Sequence, residues 1–233
     1  MSHYEPFKQQ VLDTCQDLAR KGYLIGTGGN VSIRIEGEDA LAITPSSRDY
    51  LSLTLDEICV YAFDKTPLEG ELTPSIETGM HTAVYQNRPD VNAVIHTHQP
   101  MASVFTIINT PIPALFDEQV SQLGPAVEIV PYGMSGSPDL ANNLAAKLES
   151  QCNAYILQNH GIICMGTSMD KTATNIKVLE KCALVYQSAL ATGKEITFLK
   201  PENADSFFGM LRSEQRKEIR RKKKLARQKQ KNK

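Results

Sequence analysis

The sequence predicts one α/β domain followed by a short basic tail. Its 233 residues, 41% of them hydrophobic, are enough to bury a full-sized core. Segments with apolar residues at helical spacing alternate with β-branched runs, the pattern of mixed helix and strand. No internal repeat or flexible linker interrupts the chain before about residue 211, so residues 1–210 form the body and 211–233 the tail.

In chain order, Phe7, Val11, Cys15, Leu18 and Ala19 recur at helical spacing and Lys21-Gly22 supplies a stop, which predicts an amphipathic helix over 4–21. The loop Gly26-Thr27-Gly28-Gly29-Asn30 follows. Alternation in Val31-Ser32-Ile33-Arg34-Ile35 and the run Leu41-Ala42-Ile43, separated by the turn-forming Glu36-Gly37-Glu38-Asp39, read as a hairpin. Residues 58–63 are a further strand. Pro74-Ser75 introduces a helix over 76–87, carried by Met80, Ala83 and Val84 and closed by Pro89. Residues 91–98 have the β-branched character of a strand ending at Pro100, and 138–150 read as a helix packed through Leu140, Leu144 and Leu148. An apolar strand over 154–165 is interrupted by Asn159-His160-Gly161. The longest helix spans 170–192 and stops at Gly193.

The formal net charge of -1 hides an uneven distribution: residues 211–233 hold twelve Lys and Arg against Glu214 and Glu218, a balance of +10 that leaves -11 on residues 1–210. A block such as Arg220-Arg221-Lys222-Lys223-Lys224 is expected to be solvated or disordered, not a nucleic-acid contact. The acidic body, poor in aromatics, offers no nucleic-acid groove either. The five cysteines are odd in number, scattered and never paired as Cys-x-x-Cys, which excludes a disulfide framework and a thiolate zinc knot and points to a reducing cytoplasm. No stretch approaches the roughly 20 apolar residues of a membrane span, and no basic-then-apolar leader opens the chain. A cytoplasmic protein without a membrane partner is the expectation.

Successive side chains of a strand point to opposite faces, so His96 and His98 project from the same face and can reach one ion. His160 lies 62 positions beyond His98 and precedes Gly161, which permits a close approach. Three neutral imidazoles suit zinc and leave a coordination position open for chemistry, although a His-x-His pair also arises by chance on exposed strands. His3 and His81 read as a mobile terminus and a helix-surface residue. Glu77 opens a helix just before the metal strand; a helix-capping acid and a general base beside a cation both fit it. The glycine loop through Gly29 and Asn30 offers backbone N–H groups and an amide to an anion, or is simply a turn. Ser46, Ser47 and Ser75 add hydroxyls at a strand end and a helix start.

Taken together, Gly26-Thr27-Gly28-Gly29-Asn30-Val31-Ser32, Ile43-Thr44-Pro45-Ser46, Pro74-Ser75-Ile76-Glu77, Arg88-Pro89-Asp90 running into Ala93-Val94-Ile95-His96-Thr97-His98, and Gln158-Asn159-His160-Gly161 resemble the class II aldolase/adducin-head family, in particular its fuculose-phosphate aldolase-like branch. The resemblance spans most of residues 5–195 and implies a three-layer α/β/α domain around a mostly antiparallel sheet, assembled as a homotetramer. It implies a metal-dependent aldehyde-lyase of carbohydrate metabolism that cleaves a ketose 1-phosphate to dihydroxyacetone phosphate and an aldehyde by an enediolate mechanism. His96, His98 and His160 then match the ligands of one zinc ion per subunit, with another divalent transition metal as an alternative. Glu77 matches the acid that completes the free metal site and becomes the proton-transferring base. Gly29, Asn30, Ser46, Ser47 and Ser75 match the pocket for the sugar phosphate. Sibling epimerases carry Asp where this chain has Glu77. Epimerisation, dehydration or decarboxylation on the same site, and an adducin-like binding role without catalysis, are the competing readings.

The chain departs from the pattern twice. Ile76 stands where a second phosphate-pocket serine is usual. No tyrosine follows Ile112-Pro113-Ala114 directly or occurs after Tyr186, so the acid on the aldehyde side is unassigned; Asp117 and Glu118 are either its replacements or surface charges.

Overall fold

The computed structural model describes residues 2–231 of the chain. Its first half runs α1 (Glu5–Arg20), β1 (Asn30–Arg34), β2 (Ala40–Ile43), β3 (Cys59–Ala62), β4 (Pro67–Glu69), α2 (Thr78–Asn87), β5 (Ala93–Thr97) and α3 (Pro100–Ile108). The second half runs β6 (Ile112–Pro113), α4 (Asp117–Gln122), β7 (Ala126–Val130), α5 (Pro138–Ala145), β8 (Ala154–Leu157), β9 (Gly161–Gly166), α6 (Met169–Ala191) and α7 (Pro201–Lys231). The strands form one sheet in the order β4-β3-β2-β1-β5-β9-β8-β7-β6. Among the described residues only the β7/β8 pair is parallel.

The period of two along each central strand splits the core into two layers, because alternate side chains enter opposite faces. On one face Val31 and Ile33 of β1, Ile95 of β5 and Ile162 of β9 pack with Val11, Cys15 and Leu18 of α1, Phe105 of α3 and Ile176 and Leu179 of α6. On the other, Val94 of β5 and Ile163 and Met165 of β9 pack with Met80, Val84 and Tyr85 of α2 and Leu140 and Leu144 of α5. The domain is thus the expected α/β/α sandwich. Both faces of the central strands are covered, which is why they read as near-continuous apolar runs.

Several elements differ from the sequence reading. The interruption at Asn159-His160-Gly161 is the turn of an antiparallel hairpin, with Leu157 paired to Gly161, so the single strand expected over 154–165 is two. Pro100 begins α3 as well as ending the strand before it. Its segment buries Ala102, Phe105 and Thr106 and leaves Ile107 and Ile108 exposed, so its apolar residues are not confined to the buried side. His81, expected on a helix surface, is fully buried: its Nδ1 lies 2.7 Å from Ser32 Oγ, which also lies 2.7 Å from the Tyr85 hydroxyl. Burial drives its pKa down to about 3, so it is neutral at physiological pH. The side of α2 that faces the sheet includes positions 77, 81, 84, 85 and 88, and polar residues fill three of them. His3 is exposed and lies 2.9 Å from Glu38.

The basic segment expected to be a solvated or disordered tail from residue 211 is, over its described part, the continuation of α7, which crosses the composition break without a boundary. Ala204, Leu211 and Gln215 of this helix are buried. Gln215 donates to Gln151 O at 2.9 Å, Thr167 donates to Glu214 at 2.6 Å, Asn92 donates to Glu218 at 2.7 Å, and Lys222 donates to Pro89 O at 2.8 Å. Charge count concealed an inner stripe three and four residues apart, while Arg216, Lys217, Arg220, Lys223, Lys224 and Arg227 face solvent. All five cysteines are free and buried. Among the described residues no helix is long and apolar enough to cross a membrane.

Arg88 is the largest fully buried side chain, and it joins α2 to the strand and loop ends beneath it. Its guanidinium donates to both Asp90 oxygens, at 2.9 and 2.8 Å, and to Cys152 O at 2.7 Å and Asn153 Oδ1 at 3.1 Å. Removing it strands a buried carboxylate. Arg88→Ala should lower the unfolding free energy by about 3–5 kcal/mol in urea titrations, and Arg88→Lys, lacking the planar fork, should recover only a minor part.

Candidate metal centre

The two-residue spacing places His96 on the α2/α5 face of β5, while His98 follows directly beyond the end of that strand. Asn30, first residue of β1, is the register partner of His96, and Ile163 of β9 pairs with it on the other side. The β8/β9 turn, with Asn159 at φ 52°, then carries His160 to the same place. His160, 62 positions beyond His98, meets the other two because β9 begins at the end of the sheet where β5 stops.

Glu77 supplies the fourth side. It is the N-cap residue of α2, yet its side chain makes no capping hydrogen bond. The side chain therefore does not cap the helix, and its carboxylate turns inward toward the histidines. Oε2 lies 3.2 Å from His96 Nε2, and Oε1 lies 3.2 Å from His160 Nε2. His98 Nε2 is 2.9 Å from His96 Nε2. Glu77 and His96 are buried, and only a tenth of the His160 side chain is exposed.

The donor chemistry fits a cation. A carbonyl can only accept, so the 2.8 Å contact between His96 Nδ1 and Ile162 O fixes the proton on Nδ1 and leaves the Nε2 lone pair aimed at the cluster. Burial, then the neighbouring His98 and His160, push the His96 pKa well below its ordinary value. Burial and His160 lower that of His98. Glu77 Oε1 is buried without a hydrogen-bond partner despite its 3.2 Å approach to His160. The His96 lone pair, two further imidazoles beside it and an orphaned carboxylate oxygen suit a metal held by three imidazoles and one carboxylate. The nitrogens His96, His98 and His160 can offer lie within 4.8 Å of one another.

Two glycines make the convergence possible. A Cβ on Gly161 would lie 2.4 Å from His98 Cδ2, 2.7 Å from Thr97 O and 2.9 Å from His96 Cε1. Gly29, at φ +86°, would place one 2.5 Å from His96 O. The glycine loop is therefore packed against the histidine strand and is more than a free turn. The buried Tyr50 hydroxyl braces it by donating to Gly29 O.

The remaining expected residues gather next to this cluster. Asn30 Nδ2 donates to Ser75 Oγ at 2.9 Å and to Glu77 Oε2 at 2.8 Å. Ser75 N donates to Thr44 O and Ser46 N to Thr73 O, which joins the Thr44–Ser47 loop to the start of α2. Ser47 is exposed, with φ 57°. Ile76 projects into solvent, 64% exposed. Asp117 and Glu118 are both exposed, and Glu118 is engaged by Lys181 at 2.5 Å, as a surface charge would be. Sequence reasoning missed Ser135, whose Oγ lies 3.2 Å from His160 Nε2, and Tyr50. Neither lies in a patterned segment; each is placed by a loop.

Comparison with known proteins places these observations in a group. The model of the family described as "Class II Aldolase and Adducin N-terminal domain" matches residues 9–187. The chain is 34% identical over 194 residues to L-fuculose phosphate aldolase of Escherichia coli, covering 83% of this chain and 88% of that protein. It is 30% identical over 189 residues to 5-deoxy-D-ribulose 1-phosphate aldolase of Bacillus thuringiensis, covering 80% and 87%. A solved structure of L-fuculose 1-phosphate aldolase superposes with a TM-score of 0.85 at 30% identity, covering 91% of this chain and 98% of that one.

Gly161→Ala should remove most of the bound metal, measured by elemental analysis of the purified protein, while the far-ultraviolet circular dichroism stays that of the wild type. Its methyl group would displace the His96 and His98 rings and the Thr97 carbonyl.

Proposed function

The chain belongs to the class II aldolase and adducin N-terminal domain family, and on that premise we propose that it is a zinc-dependent lyase cleaving a ketose 1-phosphate to dihydroxyacetone phosphate and an aldehyde. The observation that carries the reading is the meeting of three imidazoles with a buried, uncapping carboxylate beside a glycine loop and a cluster of hydroxyls. The relatives named for fuculose phosphate and deoxyribulose phosphate support a sugar phosphate as the substrate class.

His96, His98 and His160 hold the metal, with Glu77 completing its shell before substrate enters. Zinc suits a set of neutral imidazoles and, when bound, supplies Lewis-acid polarisation of the ketose carbonyl. The chain's own residues do the rest. Gly29 offers a backbone donor and Ser46, Ser47 and Ser75 offer hydroxyls to the phosphate, beside Asn30. As the C3–C4 bond breaks, the C4 hydroxyl gives up its proton to become the aldehyde, the bonding pair stays on the dihydroxyacetone phosphate side, and a proton must end on C3. Glu77 is the basic group placed to hold and deliver that proton. Its burial between two ligand imidazoles keeps it out of bulk water until substrate enters.

The reading includes a homotetramer. Ile25, Ile107, Tyr132 and Met134 each expose more than half of their surface (55, 68, 59 and 68%), apolar area of the kind that subunit contacts cover.

A coupled assay for dihydroxyacetone phosphate across fuculose, deoxyribulose and methylthioribulose 1-phosphates should show turnover with at least one, abolished by a chelator and restored by zinc. Release of no dihydroxyacetone phosphate from any ketose 1-phosphate would overturn the aldolase reading. Glu77→Gln should retain metal yet lose about 10²–10⁴-fold in rate, the usual range for a positioned acid or base. It should also fail to exchange the C3 proton of dihydroxyacetone phosphate with solvent. Exchange at the wild-type rate in the metal-loaded variant would move the base elsewhere.

A further inference from the structure

Asn30 is 3% exposed, and its amide is fully committed on one side and empty on the other. A carboxylate only accepts, so the atom facing Glu77 must be Nδ2, which fixes the orientation of the amide. Its two hydrogens go to Glu77 Oε2 at 2.8 Å and Ser75 Oγ at 2.9 Å. Oδ1 is buried with no partner. The Glu77 carboxylate has no other hydrogen-bond donor unless an imidazole supplies one, because Oε1 is unpartnered and Oε2 is otherwise near only His96 Nε2.

Ser75 is placed differently. Its Oγ accepts from Asn30 Nδ2 and from Glu77 N at 3.3 Å, so its own hydroxyl hydrogen is free to turn toward an incoming anion. Ser75 can therefore donate to an anion without giving up either of those bonds. The anion obtains a hydrogen from Asn30, however, only by taking one of the two already committed, and the bond to Glu77 competes directly with it.

We propose that Asn30 is a positioning residue that couples the anion cradle to the carboxylate: it holds Glu77 against the ligand histidines while the cradle is free, and releases it when a phosphate group claims the amide. The idea rests on the reading of Gly29, Ser46, Ser47 and Ser75 as a phosphate cradle. Its consequence is timing. Glu77 leaves the metal shell and becomes available for proton transfer only once the charged end of the substrate has docked, and a ligand without phosphate leaves the carboxylate in place. By linkage, whatever phosphate does to the hold on the cation, the cation must do to phosphate.

The test uses inorganic phosphate and the cobalt(II)-substituted protein. Direct attraction between the two ions acts in any variant that keeps the histidines, so Glu77→Gln serves as the reference. Relative to that variant, phosphate should weaken cobalt binding to the wild type about 5-fold or more, the lower end of usual site-to-site couplings. The visible cobalt spectrum of the wild type should shift on adding phosphate as a carboxylate leaves, and that of Glu77→Gln should not. Asn30→Ala should show the shifted spectrum before any phosphate is added. Equal phosphate responses in wild type and Glu77→Gln, with phosphate binding in both, would overturn the coupling and leave the cradle standing. No phosphate binding to the wild type by calorimetry would remove the cradle and the coupling together. Should Asn30→Ala fail to fold, the comparison of wild type with Glu77→Gln decides alone.

Discussion

Groups that can all accept a hydrogen bond crowd the centre of this protein. One imidazole nitrogen lies 2.9 Å from another, and two carboxylate oxygens lie 3.2 Å from imidazole nitrogens, with His96 barred from offering a proton by its bond to Ile162. Burial raises the cost, since low polarity strengthens repulsion between like dipoles as much as attraction. A shared cation would turn each of these contacts into two groups facing one positive charge. The surrounding architecture can be read as what holds the groups together until it does so: α2 packed on the sheet, the Arg88 lock at its far end and the braced glycine loop.

Sheet topology meets this constraint economically. In an antiparallel sheet, the strand that ends and the strands that begin share an edge, so β5, β1 and β9 deliver His98, Asn30 and the residue before Gly161 to one point. No long loop has to be ordered, which limits the entropy lost in forming the site. The helix that starts at Glu77 approaches from the layer above. The same end of the sheet therefore carries a carboxylate, imidazoles, an amide and a hydroxyl within hydrogen-bond reach of one another.

How legible this was depended on the range of the signal. The period of two put His96 and His98 on one face, and the alternating elements gave the layers, because both are local rules. Glu77 was visible as a helix start, but whether it capped the helix or turned inward depended on contacts with residues 19 and 83 positions away. His81 was misread because burial of a neutral imidazole leaves no trace in its neighbours in sequence; its partner Ser32, on the strand beneath α2, explains it. The stretch after residue 211 was misread in the opposite sense. Its high charge outweighed Leu211 and Gln215, which dock the helix onto the body. The Asn30–Glu77 bond links segments that each carried a reading of their own, and nothing in either announced the other.

The buried cysteines carry a separate consequence. Cys15 on α1, Cys59 on β3, Cys164 on β9, Cys182 on α6 and Cys152 just before β8 sample both layers and the sheet between them. Burial pushes the thiols of Cys15 and Cys182 up to about 12 and that of Cys59 to about 11, so almost no thiolate exists in the closed state. Reaction with an alkylating reagent then reports opening of the structure around each sulfur and little else. The native chain is in effect already labelled at five depths, and a mass spectrum of its partly modified forms would rank its regions by how often they come undone.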